Sequence, residues 1–231
     1  GFADLSLGTA VGDVLDAHMA ASGRFRGIRH ATGWDASDDV RNSHTSPSEK
    51  LLGDKKFREG FAELGKRNLT FDAWLYHSQI DELTALAREF PEQPIIFDHF
   101  GGPLGIGPYQ GKRDEIFSSW KGAVTELARC ENVVAKLGGL VMPINGFAFH
   151  KAAKPASSQA LESTTRDYYF HMIEVFGADR CMFESNFPVD KASCSYNVLW
   201  NSFKRIAAAF SAEEKSDLFH DTAARIYTVT V

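Results

Sequence analysis

Long apolar runs, paired cysteines and an excess of positive charge are all missing from this chain of 231 residues. No apolar stretch approaches the roughly 18 residues needed to span a bilayer, and the first residues lack the charged-then-apolar pattern of an export signal. A protein without a membrane partner, located in the cytoplasm, is expected. Cys130, Cys181 and Cys194 are odd in number and form no CxxC pair, which argues against a disulfide framework or a zinc ribbon and for reduced thiols. A formal charge of −5 and a pI near 5.9 leave no basic footprint for nucleic acid, so the expected partner is a small molecule. No GxGxxG or GxxxxGK[ST] loop is present, which removes the usual signature of a nucleotide-binding sheet. No GxSxG elbow is present either, which disfavours a serine nucleophile.

What is present is a hydrophobic content of 44%, ample for one buried core, arranged as short apolar runs between stretches of helical period. The runs predict six strands, at Gly1–Ser6, Phe25–His30, Leu69–His77, Ile95–His99, Asn132–Leu137 and Cys181–Asn186. Helices are expected between them, with Val11, Val14, Leu15 and Met19 on the first and Phe57, Phe61 and Leu64 on the second. Ser78 with Asp81, and Ser211 with Glu214, read as capping boxes. Ile116, Trp120, Val124 and Leu127 mark a further helix, as do Tyr169, Met172, Ile173 and Phe176, and Val198–Phe210 and Thr222–Tyr227 form a helical tail. No linker, repeat or hairpin signal divides residues 1–231, so a single α/β domain with a parallel sheet is predicted. Without a phosphate loop, a barrel is favoured over an open doubly wound sheet.

The predicted strands deliver polar side chains to their C-terminal ends, where parallel βα folds collect ligands. Strand alternation places His77 with Leu75, His99 with Phe97, Lys136 with Val134, and Asn186 with Glu184 and Met182. Four successive strand ends behaving alike point to one shared site, since buried polar groups are costly unless used or paired. Two readings stand for Lys136 and Glu184, as catalytic groups or as a buried ion pair that fixes the barrel. Asp98 is expected to face the other side of its strand. Arg29 reads either as a clamp for a substrate carboxylate or as a surface ion-pair partner. His18, His44, His150, His171 and His220 fall on helical or loop patterns and are not expected to be ligands.

Together F-A-D-L at Phe2–Leu5, F-R-G-I-R at Phe25–Arg29, L-Y-H-S-Q at Leu75–Gln79, D-H-F-G-G-P at Asp98–Pro103, V-A-K-L-G-G-L at Val134–Leu140 and R-C-M-F-E-S-N-F-P-V-D at Arg180–Asp190 resemble the amidohydrolase-related family. That branch of the amidohydrolase superfamily includes sugar-lactone and pyrone-dicarboxylate lactonases and, more distantly, a carboxymuconate-semialdehyde decarboxylase. The resemblance spans essentially the whole chain and implies a (β/α)8 barrel. The family's first strand carries an H-x-H pair, and no H-x-H occurs here. Aligned by motif, the chain begins at the third strand and lacks the first two βα units, which predicts an incomplete barrel with two open edges and hence a homo-oligomer. Metal-using relatives carry aspartate where this chain has Asn186, an amide that cannot take a proton. Glu184 on the same face, and less directly Asp190, are the carboxylates able to substitute.

The resemblance implies that His77 and His99 polarise a substrate carbonyl or ligate a divalent metal, zinc or manganese, as an incomplete shell; a metal-free reaction fits Asn186 better. The leading expectation is a hydrolase acting on a lactone or cyclic ester of a sugar acid or an aromatic-degradation intermediate. In it His77, His99 and Lys136 stabilise developing negative charge and Arg29 holds a substrate carboxylate. A metal-dependent decarboxylase of the same fold, and an inactive barrel fragment or binding protein, are the alternatives.

Overall fold

The computed structural model describes residues 1–229. Five strands form one parallel sheet: β1 (Gly27–Arg29), β2 (Thr70–Ala73), β3 (Ile95–Phe97), β4 (Val133–Leu137) and β5 (Cys181–Phe183). They are hydrogen-bonded in chain order, β1-β2-β3-β4-β5. A doubly wound sheet reverses its order at a switch point, whereas strictly sequential parallel pairing is that of a barrel wall. The α/β class and the incomplete barrel are therefore as expected, with five strands among the described residues where six were predicted.

The missing strand is Gly1–Ser6. Gly1 does extend the sheet by one residue, since its amine donates to Gly27 O and its carbonyl accepts from Arg29 N, each at 2.9 Å. Beyond it the Asp4 carboxylate accepts from Ser6 N at 2.9 Å and turns the chain into a 3₁₀ segment, Leu5–Ala10. A short polar side chain that bonds its own backbone two residues on competes directly with the strand ladder.

Helices α1 (Val11–Ala21), α2 (Lys55–Gly65), α3 (Ile80–Glu89), α4 (Arg113–Ala128), α5 (Ser158–Phe176) and α6 (Tyr196–Ile206) pack on the outer face of the sheet; two short helices follow, α7 (Ala212–Ser216) and α8 (Thr222–Ile226), of which α8 turns Ala223 and Ile226 to the other face. Phe57, Phe61 and Leu64, and the Ile116, Trp120, Val124 and Leu127 stripe, are buried as their spacing predicts. In α1 only Val11 and Leu15 of the predicted stripe are buried, while Val14 and Met19 are exposed. The Ser211–Glu214 capping box forms at both hydrogen bonds. The Ser78–Asp81 box does not. Instead a 3₁₀ turn, His77–Gln79, leads into α3, and Gln79 Oε1 accepts from Tyr76 N at 3.2 Å and Trp34 N at 3.0 Å.

Alternation along the strands gives the sheet two different faces. Ile28, Phe71, Ala73, Ile95, Phe97, Val133, Ala135, Leu137, Cys181 and Phe183 join the large core under the helices. Ile96, Val134 and Met182 point the other way and form a small separate cluster against Ala223, Ile226 and Tyr227 of the C-terminal segment. That inner face carries the candidate site. Cys130, Cys181 and Cys194 are free and buried, and among the described residues no helix is long and apolar enough to cross a membrane.

Candidate functional site

Continuing the inner face by period two adds Arg29, Asp72, Asp98, Lys136 and Glu184 to Ile96, Val134 and Met182. The register aligns them, with Arg29 opposite Asp72, Asp72 opposite Ile96, Ile96 opposite Val134, and Lys136 opposite Met182. Charged side chains on adjacent strands are thus forced into pairs. Lys136 Nζ donates to Asp72 Oδ1 and lies 3.3 Å from Asp98 Oδ1. Arg29 approaches Asp98 Oδ2 at 2.7 Å. Tyr227 Oη donates to Asp72 Oδ1 at 2.8 Å, and its ring lies beneath the Lys136 ammonium at 5.2 Å.

Burial opposes the charge on Lys136, but the two carboxylates and the tyrosine hold it charged well above the usual lysine range. Full burial pushes the Asp98 carboxyl up against the pull of Lys136, His99 and Arg29. Asp98 therefore faces the site, contrary to the expectation that it looks outward, because β3 ends at Phe97 and Asp98 still follows Ile96. The Lys136–Glu184 ion pair, one of the two readings of these residues, does not form; Lys136 is held by the two aspartates. Asp72 and Tyr227 are the site groups that sequence reasoning missed. Asp72 was legible from its alternation with Thr70, whereas Tyr227, 155 residues away from it in the chain, was not.

At the ends of β3 to β5 the backbone turns sharply and a second group of polar residues gathers. His99 has φ +53° and Asn186 φ +49°, so both leave strand geometry and the period-two face assignment no longer applies to them. Gly139 between them has φ +78°, and a Cβ built on it would lie 2.7 Å from His99 Nδ1 and 3.0 Å from Asn186 Nδ2. Only glycine allows that approach. His99 Nδ1 pairs with Glu184 Oε1, and Trp74 packs edge-on against the imidazole at 5.1 Å.

Burial pulls the His99 pKa down, but the Glu184 carboxylate, by charge and hydrogen bond, and Asp98 outweigh it, and the imidazole is raised. The Glu184 carboxyl is correspondingly lowered: burial acts to raise it, and His99, Lys136 and Arg29 prevail. Asn186 Nδ2 donates to Asp190 Oδ1 at 3.0 Å. Asp190 is 0% exposed, and burial pushes its pKa up to about 7 despite that bond.

His77 belongs to a third group. Its Nδ1 accepts from Leu104 N at 3.4 Å, and its ring meets Tyr109 edge to face at 5.2 Å. Tyr109 Oη in turn donates to Asp35 Oδ2 at 2.6 Å. Burial pulls the His77 pKa down to about 4, so the imidazole is neutral with its proton on Nε2. His30, next to Arg29, is buried against Phe57 and accepts from Leu5 N at 3.2 Å, a packing role. A cavity of about 690 Å³ opens at the N-terminal end of β1 beside Asp72 and Tyr227, away from His77 and His99.

A divalent metal and a metal-free site are the two alternatives that the resemblance leaves open. His77 accepts from Leu104 N at Nδ1, which leaves its proton on Nε2, and the space between Asp72 and Asp98 is filled by an ammonium, while His99, with Nδ1 turned to Glu184, keeps Nε2 for a ligand. Among the described residues no three His, Cys, Asp or Glu side chains converge as ligands of one ion. His77 and His99 by themselves therefore do not complete a zinc or manganese centre among the described residues.

A family model described as amidohydrolase matches residues 10–229. An uncharacterized protein, y4mH, of Sinorhizobium fredii is 38% identical over 225 residues, covering 95% of this chain and 66% of that protein. An L-fucono-1,5-lactonase of Burkholderia multivorans is 27% identical over 207 residues, covering 89% of this chain and 64% of the lactonase. The chain thus spans about two thirds of the length of these curated relatives. The crystal structure of an amidohydrolase from Burkholderia multivorans with bound HEPES superposes with a TM-score of 0.78 at 26% identity, covering all of this chain and 73% of that one.

Proposed function

From the premise that the chain belongs to the amidohydrolase family, we propose that it hydrolyses the lactone of a neutral sugar acid. The observation that carries this reading is the pairing of every cation on the inner face. Arg29 is matched by Asp98, Lys136 by Asp72 and Asp98, and His99 by Glu184. An anionic substrate such as a pyrone dicarboxylate needs an unbalanced cation, and none of these three supplies one. A hydroxyl-rich neutral ring needs hydrogen-bond donors and acceptors, which the row offers. Arg29, with its side chain 40% exposed, then serves a ring hydroxyl rather than a carboxylate. Similarity to an L-fucono-1,5-lactonase over 89% of the chain supports the same class.

In the reaction, water adds to the lactone carbonyl carbon, the ring C–O bond breaks, and the ring oxygen leaves as an alcohol. With Nδ1 given to Glu184, His99 has Nε2 for the substrate, and in its protonated form it donates to the departing ring oxygen. Glu184 takes a proton from the attacking water, while His99, having given up its Nε2 proton, keeps the one on Nδ1; exchange through solvent moves the proton from Glu184 to Nε2 and restores the pair. Neutral His77, protonated at Nε2, is the donor suited to the developing carbonyl oxyanion, since its low pKa keeps the ring neutral and Leu104 N, donating to Nδ1, fixes the proton on Nε2. Lys136, fixed between two carboxylates, shapes the field from behind.

The test is turnover of neutral aldonolactones against a pyrone dicarboxylate, by the protein and by His99→Ala. The expected result is hydrolysis of neutral lactones that falls about a hundredfold or more in His99→Ala, the range of a lost general acid. Equal rates for the two proteins, or preference for the dicarboxylate, overturn the reading.

A further inference from the structure

Asn186 stands among groups that can exchange protons yet can exchange none itself. Its amide has one donor end and one acceptor end, distinguished only by what each meets. The donor end meets Asp190: Nδ2 lies 3.0 Å from Oδ1 of a carboxyl that is wholly buried and whose Oδ2 has no other hydrogen-bond partner. The backbone is fixed as well, because Val189 N and Asp190 N both donate to Asn186 O, at 2.9 and 3.2 Å. Gly139 leaves room for Nδ2 on the His99 side, where a Cβ would stand 3.0 Å from it. One Nδ2 hydrogen is held by Asp190, which turns Oδ1 away from that carboxyl, and among the described residues no side chain or backbone group donates to Asn186 Oδ1.

We propose that Asp190 is a positioning residue that holds the Asn186 amide with its oxygen turned to the site, where that oxygen accepts one O–H of the attacking water. Asn186 then aims the water and Glu184 removes its other proton. The role of the water rests on the hydrolytic reading; the orientation of the amide does not.

Two measurements separate these. In ¹⁵N-labelled protein the Asn186 side-chain amide is identified by its disappearance in Asn186→Ala. Its two hydrogens are expected at well-separated shifts, and in Asp190→Leu the separation collapses. Kinetically, Asp190→Leu lowers kcat about tenfold with KM little changed, the scale of one hydrogen bond used in the transition state. Asp190→Asn, whose carbonyl still accepts, recovers most of that loss. In an Asn186→Ala background Asp190→Leu costs nothing further, because Asp190 acts through Asn186. If Asp190→Leu does not fold, Asp190→Ala serves in both measurements. An amide signal indifferent to the loss of Asp190, or an undiminished kinetic cost in the Asn186→Ala background, overturns the proposal. If no lactone is turned over, the hydrolytic reading fails, and the amide signal alone decides the orientation.

Discussion

Lys136 of β4 and Asp98, just beyond β3, meet at 3.3 Å on the inner face of the sheet, where Asp98 is 0% exposed. Asp98 also neutralises Arg29, so one buried carboxyl serves two cations. Removing one partner of a buried ionic network strands the others, at a cost of about 3–5 kcal/mol. Asp98→Ala is expected to lose that much stability in urea unfolding. A loss under about 1 kcal/mol would mean that the pairs contribute little.

The His99–Glu184 pair sets a pH window. The folded pKa of His99 is raised above its unfolded value, so its contribution is complete below about pH 6.5 and is lost as pH rises through the raised value. Glu184 is lowered, so its share is present above its unfolded range and lost as pH falls through the lowered value. Glu184→Gln should move the His99 imidazole titration, followed by proton NMR, to lower pH. An unmoved titration contradicts the pairing.

His77 should titrate near pH 4 in the same spectra, because burial depresses it to about that value. Between about pH 6.5 and 4 the unfolded chain takes up a proton that the folded one refuses, so stability falls as pH falls, by about 3 kcal/mol in all. His77→Gln is expected to flatten that part of the stability curve. A His77 resonance that titrates at its ordinary value excludes the neutral donor role.

Asp190 acts in the opposite direction. Its folded pKa of about 7 lies above the unfolded value, so the folded state keeps a proton that the unfolded state releases, and stability declines as pH rises between them. Asp190→Asn cannot ionise and is expected to unfold at a higher temperature than the parent at pH 8, with little difference at pH 4. Equal melting temperatures at both pH values would place the Asp190 titration elsewhere.

Much of this was legible in the chain because strand period and helix period are written in single residues. The helix stripes of α2 and α4, the parallel order and the strand positions follow from apolar spacing. What failed lies where backbone geometry departs from either period. The left-handed turns at His99 and Asn186 ended the alternation that had assigned their faces. The 3₁₀ segment after Asp4 replaced a strand through a single side-chain bond. Lys136 was legible as a polar group near a strand end, but its partners were not: Asp98 was assigned to the wrong face, and Asp72 and Tyr227 reach it only through tertiary packing.

The matched charges of the inner face have a kinetic consequence. A row in which each cation is already answered by an anion projects little field into solution, so substrate encounter is not steered from a distance. Capture should then proceed at an ordinary diffusional rate, and kcat/KM for a neutral lactone should change little between low and physiological ionic strength.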